Sequence, residues 1–136
     1  MVRFLILFFY YYVPVGLYLV LIYIISSLSF DVSGLPVLSS DKLMHILEYA
    51  LLGFLFMRAY LNTAGKEFKV RGIFTTVFFT FLFGASDEYH QLYVPGRIVS
   101  LGDIAADVTG GFIGSVFYIL VLYIILRKEK RNGETD

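Results

Sequence analysis

The sequence predicts an all-α integral membrane bundle of four transmembrane helices. Of its 136 residues, 58 % are hydrophobic and only 16 % are charged, which is too little polar surface for a water-soluble domain of this size. Four long apolar segments follow one another, and each approaches the roughly 20 residues that a helix needs to cross a bilayer. Basic residues are concentrated in alternate links. These observations predict a single membrane domain over residues 1–136.

The first predicted span, residues 4–28, contains no charged side chain. A cleaved signal peptide is the alternative interpretation, because Ser27 and Ser29 are small residues at a suitable cleavage spacing. The apolar run is, however, much longer than the roughly 7–15 residues of a signal-peptide core. We therefore expect a retained first helix.

Polar links and turn signals separate the other three predicted spans. The order Pro95-Gly96 predicts a turn after the third span. Ser100 then predicts a helix cap, with Asp103 three positions on as in a capping box. The predicted spans are residues 42–61, 73–93 and 101–126, followed by a basic tail at 127–136.

The distribution of basic residues predicts the orientation. Lysine and arginine occur near the N-terminus, in the second link and in the tail, whereas only Lys42 and Arg97 lie on the opposite side. By the positive-inside rule, both termini are expected in the cytoplasm.

Ionisable side chains gather at the predicted outer ends of three spans. At about 1.5 Å rise per residue, these positions fall at one level, in the outer third of the bilayer. Inserting a charged side chain at mid-membrane costs roughly 2.5–3.5 kcal/mol, so a protein that served only as a membrane anchor would not retain so many charged residues. The repulsion among these carboxylates must be relieved by protonation, by water or by a bound cation. On this side, the acids are Asp31, Asp41, Glu48, Asp87, Glu88, Asp103 and Asp107, against Lys42 and Arg97.

Helical spacing places these residues on shared faces. Asp41, His45 and Glu48 follow a spacing of i, i+4 and i+7, and Asp87 lies one turn before Gln91. His90 is expected to face away from the Asp87–Gln91 stripe. On the fourth span, Asp103 and Asp107 continue into a GxxxG pair, Gly110 and Gly114, which allows a neighbouring backbone to approach closely.

Composition excludes several kinds of site. The chain has no cysteine, so disulfides, thiolate nucleophiles and cysteine-based zinc sites are excluded. Its formal net charge is zero and it contains no nucleic-acid-binding motif, so no nucleic-acid partner is expected.

Three motifs resemble the VanZ-like family of small bacterial membrane proteins. They are "DKLMHILEYALLG" (41–53), "SDEYHQLYVPGR" (86–97) and "SLGDIAADVTGGFIG" (100–114). The resemblance implies a multi-pass protein of the bacterial cytoplasmic (inner) membrane. It also implies a cell-envelope role, because the founding member is associated with resistance to the glycopeptide teicoplanin. The family's polar positions correspond to Asp41, Lys42, His45, Tyr49, Asp87, Glu88, Gln91, Arg97, Asp103 and Asp107. Asp107 stands where the family usually has asparagine.

The leading functional hypothesis is an outward-facing acidic site that engages membrane lipids or a lipid-linked or cell-wall-related ligand. One alternative is a membrane enzyme that performs acid–base or metal-assisted chemistry on an envelope lipid; another is a polar cluster that holds helices together or docks a partner protein. No cofactor is predicted, although His45 and Glu48, joined by Glu88 or Asp87 and by His90, leave a divalent metal open. The candidate catalytic residues are His45, Glu48, Asp87 and Glu88. The candidate ligand-binding residues are Asp41, Lys42, Tyr49, Gln91, Arg97, Asp103 and Asp107.

Overall fold

A computed structural model describes residues 2–28 and 37–133, and within these ranges the side chains of residues 5–28 and 42–133. The described chain is all-helical, as predicted. Its four helices are α1 (Val2–Ser26), α2 (Val37–Ala64), α3 (Lys69–Gln91) and α4 (Leu101–Gly133).

The helices extend beyond the predicted spans at several ends. α2 begins at Val37, and α4 continues through the basic segment to Gly133, so the described part of the predicted tail is helical. Lysine, arginine and glutamate are good helix formers, and cations in the last turn interact favourably with the helix dipole. α3 ends at Gln91, two residues before the predicted end of its span, because the chain enters a series of turns from Leu92 onward.

Three of the four described helices are long and apolar enough to cross a membrane. Their apolar lengths are Leu5–Ser26, Lys42–Ala64 and Leu101–Gly133. α3 is not among them: it begins with Lys69 and Arg71 and ends with two carboxylates. The fourth crossing therefore remains a prediction.

The packing between α2 and α4 dominates the bundle, and two glycines of α4 make it possible. A Cβ at Gly110 would meet the backbone carbonyl of Ile46, and a Cβ at Gly114 would meet that of Ala50. The two helices run in the same direction, since the start of α4 lies beside the start of α2. The predicted close approach at the GxxxG pair is confirmed, and it fixes the register of α4 on α2.

α1 packs along α2 in the opposite direction. Val15 and Ile22 are buried against Tyr49 and Leu52 of α2. Near the other end of the pair, the Tyr12 hydroxyl lies 3.1 Å from the Thr63 hydroxyl. Many of the large apolar side chains of α1 outside this contact are exposed, as expected of a helix that faces lipid.

A tight turn joins α3 to α4. Arg97 N donates to Val94 O at 3.2 Å, and Gly96 adopts a positive φ of 84°. This is the conformation that a type II turn requires after proline, so the Pro95-Gly96 prediction is confirmed. The turn brings the end of α3 next to the beginnings of α4 and α2.

Candidate functional site

The candidate site lies where the first turns of α2 and α4 meet the last turns of α3. Five of the residues selected from the sequence contact one another there or lie within one cluster: Lys42, His45, Glu88, Asp103 and Asp107. All except Lys42 are buried. We call these five residues the polar cluster.

The innermost contact of the polar cluster joins His45 to Asp107. His45 Nδ1 lies 2.9 Å from Asp107 Oδ1. With Asp107 ionised, Nδ1 carries the proton and donates it, which directs Nε2 away from Asp107. Asp107 is 0 % exposed and His45 is 7 % exposed, so water does not screen the pair. Asp107 thus fixes the orientation of the histidine.

A second contact joins Lys42 to Asp103. Lys42 Nζ donates to Asp103 Oδ1 at 2.9 Å. The Lys42 side chain is 43 % exposed, whereas that of Asp103 is 5 % exposed. Lysine therefore approaches the buried carboxylate from the surface of the bundle, as long cationic side chains commonly do.

The predicted capping box is half confirmed and half wrong. Ser100 caps α4 as expected, because its hydroxyl accepts a hydrogen bond from Gly102 N at 3.1 Å. The return bond to Ser100 N comes from Glu88 Oε2 of α3, at 2.8 Å, and not from Asp103. Asp103 instead accepts from Lys42 across the α2–α4 contact. A carboxylate of another helix has replaced the local partner, which ties α3 to the start of α4.

Four buried polar atoms at this end have no hydrogen-bond partner within the described part of the chain. They are Ser26 Oγ, Glu88 Oε1, Asp107 Oδ2 and Arg97 Nε. Glu88 is 2 % exposed, and Asp107 Oδ2 faces Gly84 so closely that a Cβ at residue 84 would overlap with it. Buried polar groups are nearly always paired, and leaving one unpaired costs roughly 1–3 kcal/mol.

Asp87 and Gln91 form a separate pair on α3. Gln91 Nε2 donates to Asp87 Oδ2 at 2.9 Å, which confirms that they share a face. Asp87 also lines a cavity of about 140 Å³ between α1, α2 and α3, together with Tyr23, Tyr49 and His90. Asp87 therefore borders this cavity and is not among the residues joined by the contacts of the polar cluster.

The remaining selected residues surround the polar cluster in different ways. Glu48 is half-buried and interacts electrostatically with His45 and Arg97, among others. Tyr49 is buried in the hydrophobic core between α1 and α2, where it packs with Val15 and Ile22. The side chain of Asp41 and the whole of Asp31 lie outside what the structure describes.

His90 lies outside the polar cluster, and it lines the same cavity as Asp87. Its ring packs on Tyr23, with ring centroids 4.4 Å apart. The Ser27 hydroxyl donates to Tyr23 O, so His90 Nε2 donates to the Ser27 oxygen over 3.0 Å. His90 therefore connects α3 to the end of α1.

Two contributors to the site were not found from the sequence. Gly84 lies beside Asp107, and the helical spacing to Glu88 at i+4 and Gln91 at i+7 could have placed it on the same face. Tyr18 of α1 donates to Glu48 O at 3.1 Å. The first predicted span contains five tyrosines, and their spacing alone does not single out Tyr18.

The fold and the site together define a small helical membrane protein with a buried polar cluster at one end of its bundle. The chain belongs to the VanZ/LLP1 family, whose model matches residues 4–125. Comparison with curated proteins and with solved structures gave no match to the chain.

Proposed function

We propose that this protein is a cell-envelope membrane protein in which the polar cluster, together with Arg97, engages the head group of a lipid-linked or cell-wall-related ligand. The supporting observation is the set of buried, unpaired atoms, Glu88 Oε1, Asp107 Oδ2 and Arg97 Nε. A cluster that served only to hold the helices together would be most stable with every polar group paired. Unpaired acceptors and an unpaired donor at one end of the bundle are instead typical of a site that a ligand completes.

The chemistry of the unpaired atoms indicates the ligand class. A guanidinium binds phosphate or carboxylate well, because its donors match the geometry of the two oxygens. Carboxylate oxygens accept hydrogen bonds from hydroxyl, amide or ammonium groups. An amphiphile that carries both a phosphate and hydrogen-bond donors suits Arg97 and Glu88 together.

The neighbouring cavity supports an amphiphilic ligand. Its walls combine apolar side chains, such as Leu19 and Phe83, with the polar groups of Asp87 and His90. At about 140 Å³ it is smaller than the roughly 300 Å³ at which pockets for whole drug-sized ligands begin. The cavity therefore suits a segment of an acyl chain or a small polar group.

The proposed orientation places both termini in the cytoplasm and the polar cluster towards the outside of the cytoplasmic membrane. The distribution of lysine and arginine supports it. A phosphatase reporter that is active only outside the cytoplasm should be inactive when fused after Arg131 and active when inserted after Gly96. The opposite pattern would place the polar cluster at the inner leaflet and contradict an outward-facing site.

Retention of lipid during purification tests the proposed ligand. Wild-type protein extracted in a mild detergent should co-purify with a phosphate-bearing lipid that mass spectrometry identifies. Arg97→Gln and Glu88→Gln should each reduce the retained amount about tenfold or more, since hydrogen bonds to charged groups contribute about 1.5–3 kcal/mol each.

Arg71→Gln is the matched control, because Arg71 is exposed at the opposite end of α3. It should retain the wild-type amount. Equal retention by wild type and Arg97→Gln, with both proteins folded, would contradict the proposal.

A second candidate function is acid–base catalysis on the same lipid, and the His45–Asp107 pair favours it. A histidine oriented by a buried carboxylate is suited to act as a general base, and the unpaired Glu88 carboxyl could exchange a proton with a leaving group. The preparations above distinguish the two functions, because an enzyme converts added envelope lipid whereas a binding protein returns it unchanged. A link to glycopeptide tolerance would appear as a changed teicoplanin sensitivity of cells that express the protein.

A further inference from the structure

We propose that His45, Glu88 and Asp103 bind one divalent cation of the zinc class at the end of the bundle. The inference rests on the proposed function, because the cation would occupy the same polar cluster and would be part of what engages the ligand.

The geometry brings the three donors together from three helices. One ligand atom of each residue lies within 4.8 Å of the other two, and all three residues are buried. Atoms that bind one zinc ion at about 2.0–2.2 Å lie roughly 3.4 Å apart in a tetrahedral site, so small side-chain adjustments would close the set. One imidazole and two carboxylates leave a fourth position for water or a ligand oxygen, as in zinc sites that act on substrates.

The orientation of Glu88 is an independent indication of a ligand. Glu88 Oε2 accepts from Ser100 N, which holds the carboxylate in place. Glu88 Oε1 is buried without a hydrogen-bond partner in the described chain, on a residue that is 2 % exposed. A fixed carboxylate with one unpaired oxygen, beside another carboxylate and an imidazole, is prepared to coordinate a cation.

Asp107 prepares the histidine for coordination. Because Nδ1 of His45 donates to Asp107, Nε2 is the nitrogen that can present its lone pair to a metal. Metal-binding histidines usually donate their other ring N–H to a carboxylate or carbonyl, which orients the ring and makes it a stronger ligand. Asp107 thus takes the role of an outer carboxylate.

Lys42 occupies the position of a competing cation. Its ammonium group lies 2.9 Å from Asp103 Oδ1, and its 43 % exposed side chain can turn towards the surface of the bundle. A divalent cation bound to Asp103 would therefore have to displace or repel this ammonium group. The competition gives the proposal a distinctive signature, since removing Lys42 should strengthen metal binding.

Titration with Co²⁺ followed by Zn²⁺ tests the site. The full-length protein is purified with a histidine-free tag, treated with a chelator and titrated with Co²⁺ in detergent, and visible absorption reports coordination. The wild type should bind one equivalent of Co²⁺, and Zn²⁺ should displace it. Glu88→Gln and Asp103→Asn should each weaken binding at least tenfold, and Lys42→Met should strengthen it several-fold.

His90→Ala is the matched control, because His90 is the other histidine of the chain and contacts α1. It should bind Co²⁺ like the wild type. Absence of saturable Co²⁺ binding by the wild type, or equal binding by Glu88→Gln, would overturn the proposal. If the wild type retains lipid without binding a metal, and Arg97→Gln does not retain it, the cation site alone is overturned. If the wild type binds the metal but retains no lipid, the proposed lipid ligand alone is contradicted.

Discussion

Replacement of Gly114 by valine is expected to prevent the bundle from assembling. A Cβ at this position would overlap with the Ala50 carbonyl, which belongs to the backbone of α2 and cannot rotate away as a side chain could. Even alanine requires α2 and α4 to separate, and overpacking of this kind costs about 1–3 kcal/mol or more. Valine adds two further methyl groups at the same point of contact.

Thermal unfolding in detergent measures the effect of Gly114 substitutions. The chain has no tryptophan, so circular dichroism is the suitable signal. Gly114→Ala should lower the midpoint clearly, and Gly114→Val should give little folded protein. Gly16→Ala is the matched control: Gly16 is within α1, no neighbouring group lies within 4 Å of the position that a Cβ would take there, and alanine favours a helix by up to about 1 kcal/mol. An unchanged midpoint for Gly114→Ala would contradict the close α2–α4 contact.

Replacement of His45 by alanine is expected to destabilise the fold by about 3–5 kcal/mol, because it leaves the Asp107 carboxylate buried without its partner. The double variant His45→Leu with Asp107→Leu should be less destabilised than His45→Ala, since it removes both polar groups at once. Asp107→Asn should be tolerated, because an asparagine oxygen can also accept the proton of His45 Nδ1.

The same thermal measurement, arranged as a double-variant cycle, tests the His45–Asp107 pair. The loss of stability in the double variant His45→Leu with Asp107→Leu should differ strongly from the sum of the losses in the two single variants, as expected for two groups in direct contact. Additive effects of the two single substitutions would show that the pair does not interact in the folded protein, and would remove the basis for a histidine oriented by Asp107.

Much of the fold could be predicted because it depends on local chemistry. Four long apolar segments indicated four helices, of which three are long and apolar enough to cross a membrane, and Pro95-Gly96 indicated the turn between α3 and α4. The Gly110–Gly114 spacing indicated a close helix contact, which α2 makes. The ends of the helices were less predictable: α4 continues to Gly133 because charged residues can extend a helix as well as apolar ones.

The site was predictable in its composition and not in its pairings. Periodicity placed His45, Glu88 and Asp107 at one end of the bundle, and the structure brings them together there. It did not show that Glu88 takes the capping bond expected of Asp103, or that Asp103 binds Lys42. A capping box is a local pattern, and a partner on another helix can replace it when that helix supplies a better-placed carboxylate.

By itself, the sequence determined which residues share a helical face and at which end of α2, α3 and α4 the buried acids gather, because both follow from the helical period and from the cost of charge in lipid. The tertiary structure decided which faces meet. The glycines of α4 set its register on α2, and this register aligns Asp103 with Lys42 and Asp107 with His45. The physical reason is that the rotation and sliding of one helix against another depend on packing between distant segments. Helical periodicity along a single segment contains no information about that packing.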